Sequence, residues 1–524
     1  MAPLQSSISP KQWKLSEMSA PIPASVKLQP ADNVIIATRA LQPGDQAGNL
    51  QVLDNISAGH KIAEHDIKQG QALIKFGQTI GFATTDIQAG AHVHSHNMEF
   101  SDPGVHHSFC KDYKPTQYAE HPEERTFLGY HREDGSVGTR NYIAVLTSVN
   151  CSATAAHRIA DAFSDEDLLQ FENVDGVASF AHGTGCGMAG DNEGFANLQR
   201  VLWGYVKNPN VGGVLLVGLG CEVNQIDFLL DAYGLKQSPT FQFMNIQGMG
   251  GLRKTIEAGI EKVKAMLPEA NKASRQPAPL SKLMVGLQCG GSDGWSGVTA
   301  NPALGYATDL LVKYGGTSVL SETSEIYGAE HLLTSRAANQ KIAEKLVERV
   351  RWWEDYTARN NGTMDNNPSP GNKRGGLTTI LEKSLGAVAK GGTTALEGVY
   401  KYGEPIETKG FVFMDSPGYD PASVTGQIAS GCNLIVFTTG RGSAFGSKPS
   451  PTIKVASNTP LFEHMPEDMD FNAGSIISDG RSVEEVGTEL FELMIKVASG
   501  EHSKSEAQGL GDYEFVPWQI GAVM

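Results

Sequence analysis

The sequence has no apolar run approaching the roughly 18 residues of a membrane-spanning helix. Its first 27 residues contain no apolar core of about 7 to 15 residues such as a signal peptide needs, so a cytoplasmic protein that avoids membranes is expected. Positive charge is scarce. Against 58 Asp and Glu there are 42 Lys and Arg, and the net charge of −16 argues against nonspecific binding to nucleic acid or an anionic membrane. An anionic substrate would therefore need a local basic cluster. Cysteine is scarce too: six in 524 residues cannot build a disulfide scaffold, and none forms a CxxC pair, which disfavours a structural zinc ribbon. No GxxxxGK[ST] occurs, which removes nucleotide hydrolysis. No GxGxxG opens a helix with an acidic residue about 20 residues on, which argues against a nicotinamide-dependent oxidoreductase.

Glycine is abundant, with 59 residues, and the length suggests about three domains. Between residues 28 and 100 an apolar residue, two spacers and a glycine recur four times: Leu41 to Gly44, Ile56 to Gly59, Ile67 to Gly70 and Ile87 to Gly90. Short β-rich runs lie between these turns, around Val34, Leu73 and Ile80, so a small all-β module is expected. Residues 101–125 carry Pro103, Pro115 and Pro122 and read as a linker. From Tyr142 onward apolar runs alternate with amphipathic segments, the pattern of buried parallel strands with crossover helices in an α/β fold. Strands are expected at 143–149, 176–181, 214–218, 283–287, 317–320, 411–414, 434–438 and 452–455, and a helix at 338–356. The proline-bearing polar stretch 267–282 marks a boundary between a middle α/β segment, 126–270, and a C-terminal one, 271–524.

Ligands of open parallel sheets bind beyond the carboxyl ends of the strands. Cys151, Cys186, Cys221 and Cys289 each follow one of the first four expected strands, the last three among glycines. One such thiol reads as a small buried hydrophobe. Four at one topological position read as metal ligands, and scattered thiols suit an open catalytic iron site or an iron–sulfur cluster. Three of them, Cys186, Cys221 and Cys289, are expected to converge at one cleft. At the end of the β module stand His92, His94 and His96. Alternation along a strand would put all three rings on one face, able to ligate a divalent metal or to shuttle protons, against the plain alternative of a solvated edge. His60, His65, His106, His107, His121 and His157 show no such pattern and are assigned no role. Lys373, Arg374, Arg441 and Lys454, in glycine-rich loops or the strand after them, are expected to form the basic patch, with Arg441 suited to grip a carboxylate bidentately.

The runs DGSVGTRN (134–141), VGLGCE (217–222), CGGSDGWSGVTANPALG (289–305), NPSPGNKRGG (367–376) and FTTGRG (437–442) resemble the altronate/galactarate dehydratase family, and the likeness covers nearly everything after residue 28. HVHSHN (92–97) resembles its altronate-type branch. The resemblance implies a β-clip module of the SAF type over 28–100, a middle domain that makes a homodimer, a Rossmann-like C-terminal domain, and dependence on Fe2+ or Mn2+. It implies removal of water from a sugar acid to give a 2-keto-3-deoxy acid, with galactarate or a sulfolactate-type substrate as alternatives, and a sugar-binding regulatory protein as a rival from another class. Taking the proton beside a carboxylate creates charge that a cation must absorb. Candidate proton-transfer groups are His94, His96, His182, Glu222 and Lys373. Candidate substrate contacts are Ser292, Asp293, Asn301, Asn372, Lys373, Arg441 and Lys454. The β module is expected to dock over the α/β cleft and take part in catalysis. Residues 1–27 lie outside the resemblance.

Overall fold

The computed structural model describes residues 22–101 and 107–524; the greater part of the first 27 residues, and His106, lie outside them. The N-terminal module is all antiparallel, with strands Ser25–Val26, Val34–Ala37, Lys61–Ala63 and His92–Val93 in one sheet and Ala72–Lys75, Gln78–Ala83 and Met98–Glu99 in another. Its first strand thus lies ahead of residue 28. The four-fold sequence pattern has a structural cause. Leu41 bridges Ile56 and Ile67 bridges Ile87, and the glycine three residues after each turns the chain back at φ 97, 81, 80 and 85°, a region closed to most side chains.

Two parallel sheets follow. The smaller runs Gly176–Phe180, Tyr142–Thr147, Val211–Gly218, Phe241–Asn245. The larger, of seven strands, runs Leu396–Tyr400, Gly410–Met414, Thr317–Leu320, Met284–Cys289, Leu434–Thr439, Thr452–Ala456, Phe471–Asn472. All eight strands read from the sequence are present, and the expected helix is Gln340–Arg359. In each sheet the first strand in the chain is flanked on both sides by later ones, so each has a switch point where loops diverge and leave a crevice. Helices Glu193–Lys207 and Asp420–Ala429 pack on each other and share one apolar cluster with both sheets.

The stretch expected to separate the two α/β segments ties them together. Arg275–Pro279 is a strand that pairs antiparallel with Thr126–His131, with Pro277 and Pro279 tolerated because no strand pairs on its other side. The described part of the expected linker is also held. The backbone N–H groups of Cys110, Asp112 and Ala119 donate to the carbonyls of Thr334, Ser335 and Lys313 at 3.0, 2.7 and 2.9 Å. The β module docks on the C-terminal domain, and Val34, Leu73 and Ile80 share a core with Val285 and Leu287 of the large sheet. At that junction Lys61 and Lys75 both reach Glu382, each at 2.8 Å, with all three side chains buried.

Candidate active site

Three glycine-rich loops and one edge of the β module meet at the switch point of the seven-stranded sheet. The loop after Met284–Cys289 is locked to the 367–376 loop, since Gly294 N–H donates to Gly375 O at 2.8 Å and Asn372 Nδ2 to Ser292 O at 2.8 Å. The third loop joins through Gly440 N–H to Gly291 O at 3.1 Å, and the Arg441 side chain packs beside Gly291 and Gly375. From the module, His94 Nε2 and His60 Nε2 donate to the carbonyls of Lys373 and Arg374 at 2.8 and 3.2 Å.

The histidines do cluster, but not by strand alternation. Only His92 and Val93 are in a strand, and His94 then opens a turn whose carbonyl accepts from Asn97 and Met98 N–H. The fourth member is His60, which no sequence pattern marks. Lys61 pairs with Val93 and Ile62 with His92, so antiparallel register sets His60 across from His94. Ring centroids lie 5.2 Å apart for His60 with His92 and with His94, and 5.4 and 5.5 Å apart for His92 with His94 and with His96. With Nε2 of His60 donating to a carbonyl, its Nδ1 accepts from His92 Nε2 at 3.0 Å. Burial lowers His60 to about 4 and His92 to about 3, and lowers His94 as well, so these rings stay neutral. His96 is exposed and makes no ring hydrogen bond among the described residues.

Below this rim lies a buried ionisable cluster of which the sequence shows only Cys289. Cys289 Sγ accepts from Lys390 Nζ at 2.8 Å and contacts Glu325 Oε2 at 3.4 Å. Glu325 pairs with Lys383 at 2.5 Å and accepts from Asn367 Nδ2 at 3.0 Å. Burial raises Glu322, helped by neighbouring Glu325, and pushes Cys289 up to about 12. Burial also works to raise Glu325, but Lys383 and Lys390 override it and hold that carboxyl low. Glu322 has φ 72°, which costs a non-glycine residue about 1–3 kcal/mol, and neither carboxylate oxygen has a hydrogen-bond partner among the described residues. Cys289, Glu322 and Glu325 bring three ligand atoms within 4.8 Å of one another. Asp420, at the start of Asp420–Ala429, approaches Gly290 and is raised to about 6 by burial and by Glu325. A cavity runs from Cys289, Ser292 and Lys383 to Lys75 and Phe76 of the module.

Several expected substrate contacts are instead committed to the scaffold. Asp293 accepts from Ser296 N–H and Ser457 Oγ, each at 2.8 Å, and from Asn458 Nδ2 at 3.1 Å. Asn301 Nδ2 donates to Gly386 O and its Oδ1 accepts from Thr438 Oγ1. Asn372 completes a capping box with Ser369. Lys454 is buried and donates to Ser443 O at 3.1 Å, so it does not join the basic patch. Lys373, Arg374 and Arg441 remain on the rim, partly or fully exposed, and Ser292 lines the cavity.

The four expected metal cysteines divide between the two sheets. Cys289 is buried in the large one, whereas Cys151, Cys186 and Cys221 are exposed beyond strands of the small one, so the expected convergence of Cys186 and Cys221 with Cys289 does not occur. His182 and Glu222, two of the expected proton-transfer groups, also belong to the small sheet and hold its loops. His182 donates from Nε2 to Thr147 O at 3.0 Å and accepts Thr184 N–H at Nδ1, and Glu222 accepts from Ser148 Oγ and Gly220 N–H.

Comparison with known proteins agrees with this architecture. Residues 23–101 match the altronate/galactarate dehydratase SAF domain, residues 129–271 the second domain of D-galactarate dehydratase/altronate hydrolase, and residues 280–523 the C-terminal domain of D-galactarate/altronate dehydratase. The chain is 37% identical over 499 residues to altronate dehydratase of Bacillus subtilis, covering 93% of this chain and 98% of that one. It is 36% identical to altronate dehydratase of Escherichia coli, covering 92% of this chain and 96% of that one. It is 36% identical to galactarate dehydratase (L-threo-forming) of the same organism, covering 91% and 92%.

Proposed function

Because this chain belongs to the D-galactarate/altronate dehydratase family, we propose that it dehydrates an aldonate of the altronate type at the switch point of its seven-stranded sheet. The hydro-lyase class, acting on a sugar acid, comes with the family. The substrate and the residue roles are our reading. The observation that carries it is the convergence of four histidines and three glycine-rich loops above the buried Cys289, Glu322 and Glu325. The altronate choice is supported by the histidine run and by the end-to-end likeness to the Bacillus subtilis enzyme.

Fe2+ or Mn2+ suits the buried cluster, because Glu322 is a buried carboxylate with two unpartnered oxygens beside a thiol and a second carboxylate. Cys289, Glu322 and Glu325 would hold the ion. Bound there, it would supply positive charge against the enediolate that forms when the C2 proton leaves. Arg441 and Lys373 on the rim hold the substrate carboxylate in an otherwise acidic protein. Asp420 takes the proton from C2. The C2–C3 double bond forms as the C3–O bond breaks, and His96 gives the departing hydroxyl its proton, releasing water. The enol then takes a proton from solvent at C3 while its C2 hydroxyl gives one up to solvent, which makes the 2-keto-3-deoxy acid, and solvent carries the proton from Asp420 back to His96. The middle domain would form the homodimer contact.

Anaerobically purified chain with Fe2+ should form a 2-keto-3-deoxy acid from altronate faster than from galactarate, by kcat/KM, and release no sulfite from sulfolactate. Preference for galactarate would overturn the substrate assignment. Reduction of a nicotinamide during turnover would overturn the hydro-lyase reading.

A further inference from the structure

The smaller sheet has a switch point of its own, and the residues gathered there take no part in the chemistry above. Cys151, Cys186 and Cys221 follow three neighbouring parallel strands, Tyr142–Thr147, Gly176–Phe180 and Val211–Gly218, and all three thiols are exposed. Exposure is unusual for a free cysteine, which ordinarily behaves as a small buried hydrophobe.

The loops that carry them are fastened to one another by backbone contacts within three residues of each cysteine. Asn150 N–H donates to Thr184 O at 2.9 Å, and Asn224 N–H to Gly185 O at 3.0 Å. Asn224 Nδ2 donates to Ser148 O at 3.0 Å, and Asn150 Nδ2 to His182 O at 3.2 Å. Gly185, at φ 98°, lies so close to the Ser148 carbonyl that any side chain there would collide with it. His182 and Glu222 brace the same loops from below, and Gln247 Nε2 donates to Cys221 Sγ at 3.3 Å. Three thiols are thus presented to solvent on a rigid frame, and one sulfur already accepts an N–H, a contact of the kind that tunes iron–sulfur centres.

The three sulfurs are not among the ligand sets within 4.8 Å, whereas a single tetrahedral ion draws its thiolates to about 2.3 Å from itself. An iron–sulfur cluster takes each thiolate on a different iron and spans a wider triangle. We propose that Cys151, Cys186 and Cys221 hold a [4Fe–4S] cluster at the carboxyl edge of the four-stranded sheet, with three irons bound by thiolate and the fourth left without a cysteine. The sheet-end position, shared by all three, gives that fourth iron access to solvent and to oxygen donors. The assignment is independent of which acid is dehydrated.

The test uses the full chain purified without exposure to air, and reads iron, acid-labile sulfide and visible sulfur-to-iron absorption. About four irons and four sulfides per chain are expected, beyond any iron lost to a mild chelator. Cys151→Ser, Cys186→Ser and Cys221→Ser should each lose most of the sulfide and the absorption, and their thermal midpoints should match that of the wild-type chain stripped of iron, because these side chains are exposed. Cys110→Ser and Cys289→Ser should keep both. Iron without sulfide in the wild-type chain would overturn the proposal, as would sulfide retained in all three single variants or lost with Cys289→Ser.

Discussion

Glu382→Gln should destabilise the protein by about 3–5 kcal/mol, the usual consequence of removing one partner from a buried ion cluster. The glutamine keeps the shape but leaves the ammonium groups of Lys61 and Lys75 facing a neutral amide inside the protein. Both lysines come from the β module and Glu382 from the C-terminal domain, so the loss falls on the docking of one upon the other. A urea unfolding midpoint measures the loss, and faster proteolysis between the module and residue 126 locates it. Lys61→Met and Lys75→Met together with Glu382→Leu should recover most of the stability, since a well-packed apolar set can replace buried charges. A midpoint change equivalent to less than about 1 kcal/mol in Glu382→Gln would show that docking does not depend on this cluster. The same cluster sets an acid limit. Burial works to raise the Glu382 carboxyl, but the two lysines override it and hold it well below its usual range. A depressed carboxyl contributes stability that is fully present above the unfolded value near 4.3 and is lost as pH falls below it. Docking should therefore weaken in acid, at about pH 4 and below, and not in mild alkali.

Asp420→Asn is expected to lower turnover by about 10²- to 10⁴-fold, the range for removing a general base, with little change in the unfolding midpoint. Asparagine is isosteric and keeps an oxygen for Gln288 Nε2, so the scaffold survives while the proton acceptor does not. Steady-state kinetics on the preferred acid, with iron content held equal, measure it. A variant within about three-fold of wild type would remove Asp420 from the reaction.

Much of the α/β frame was legible because buried parallel strands read as continuous apolar runs, as in Leu434–Thr439, where all six residues are buried. The strands missed in the two parallel sheets were edges, and the antiparallel pair of Thr126–His131 with Arg275–Pro279 was missed beside them. Phe241–Asn245 carries polar residues, Leu396–Tyr400 contains Glu397 and Gly398, and Arg275–Pro279 has two prolines that only an edge accepts. The site was legible only where its residues form runs. His92, His94 and His96 announce themselves, but His60 joins them through a strand pairing across thirty residues. Cys289 stood out as a rare residue type, whereas Glu322, Glu325 and Asp420 are common types that follow Thr317–Leu320 and Gly410–Met414. They occupy the same strand-end position as the cysteines, and applying that rule to every residue type would have found them. Asp293, Asn301 and Asn372 show the converse: the glycine-rich motifs that suggest ligand contacts also need polar residues for the hydrogen bonds of their own tight loops.

The most direct test of the assigned site is a crystal structure of the Asp420→Asn chain with its preferred acid bound. The account predicts the acid at the carboxyl end of Met284–Cys289, its carboxylate in hydrogen-bond reach of Arg441 or Lys373 and its C2 beside residue 420, under the four histidines. An acid bound at the edge of the four-stranded sheet, against Cys151, Cys186 and Cys221, would contradict it.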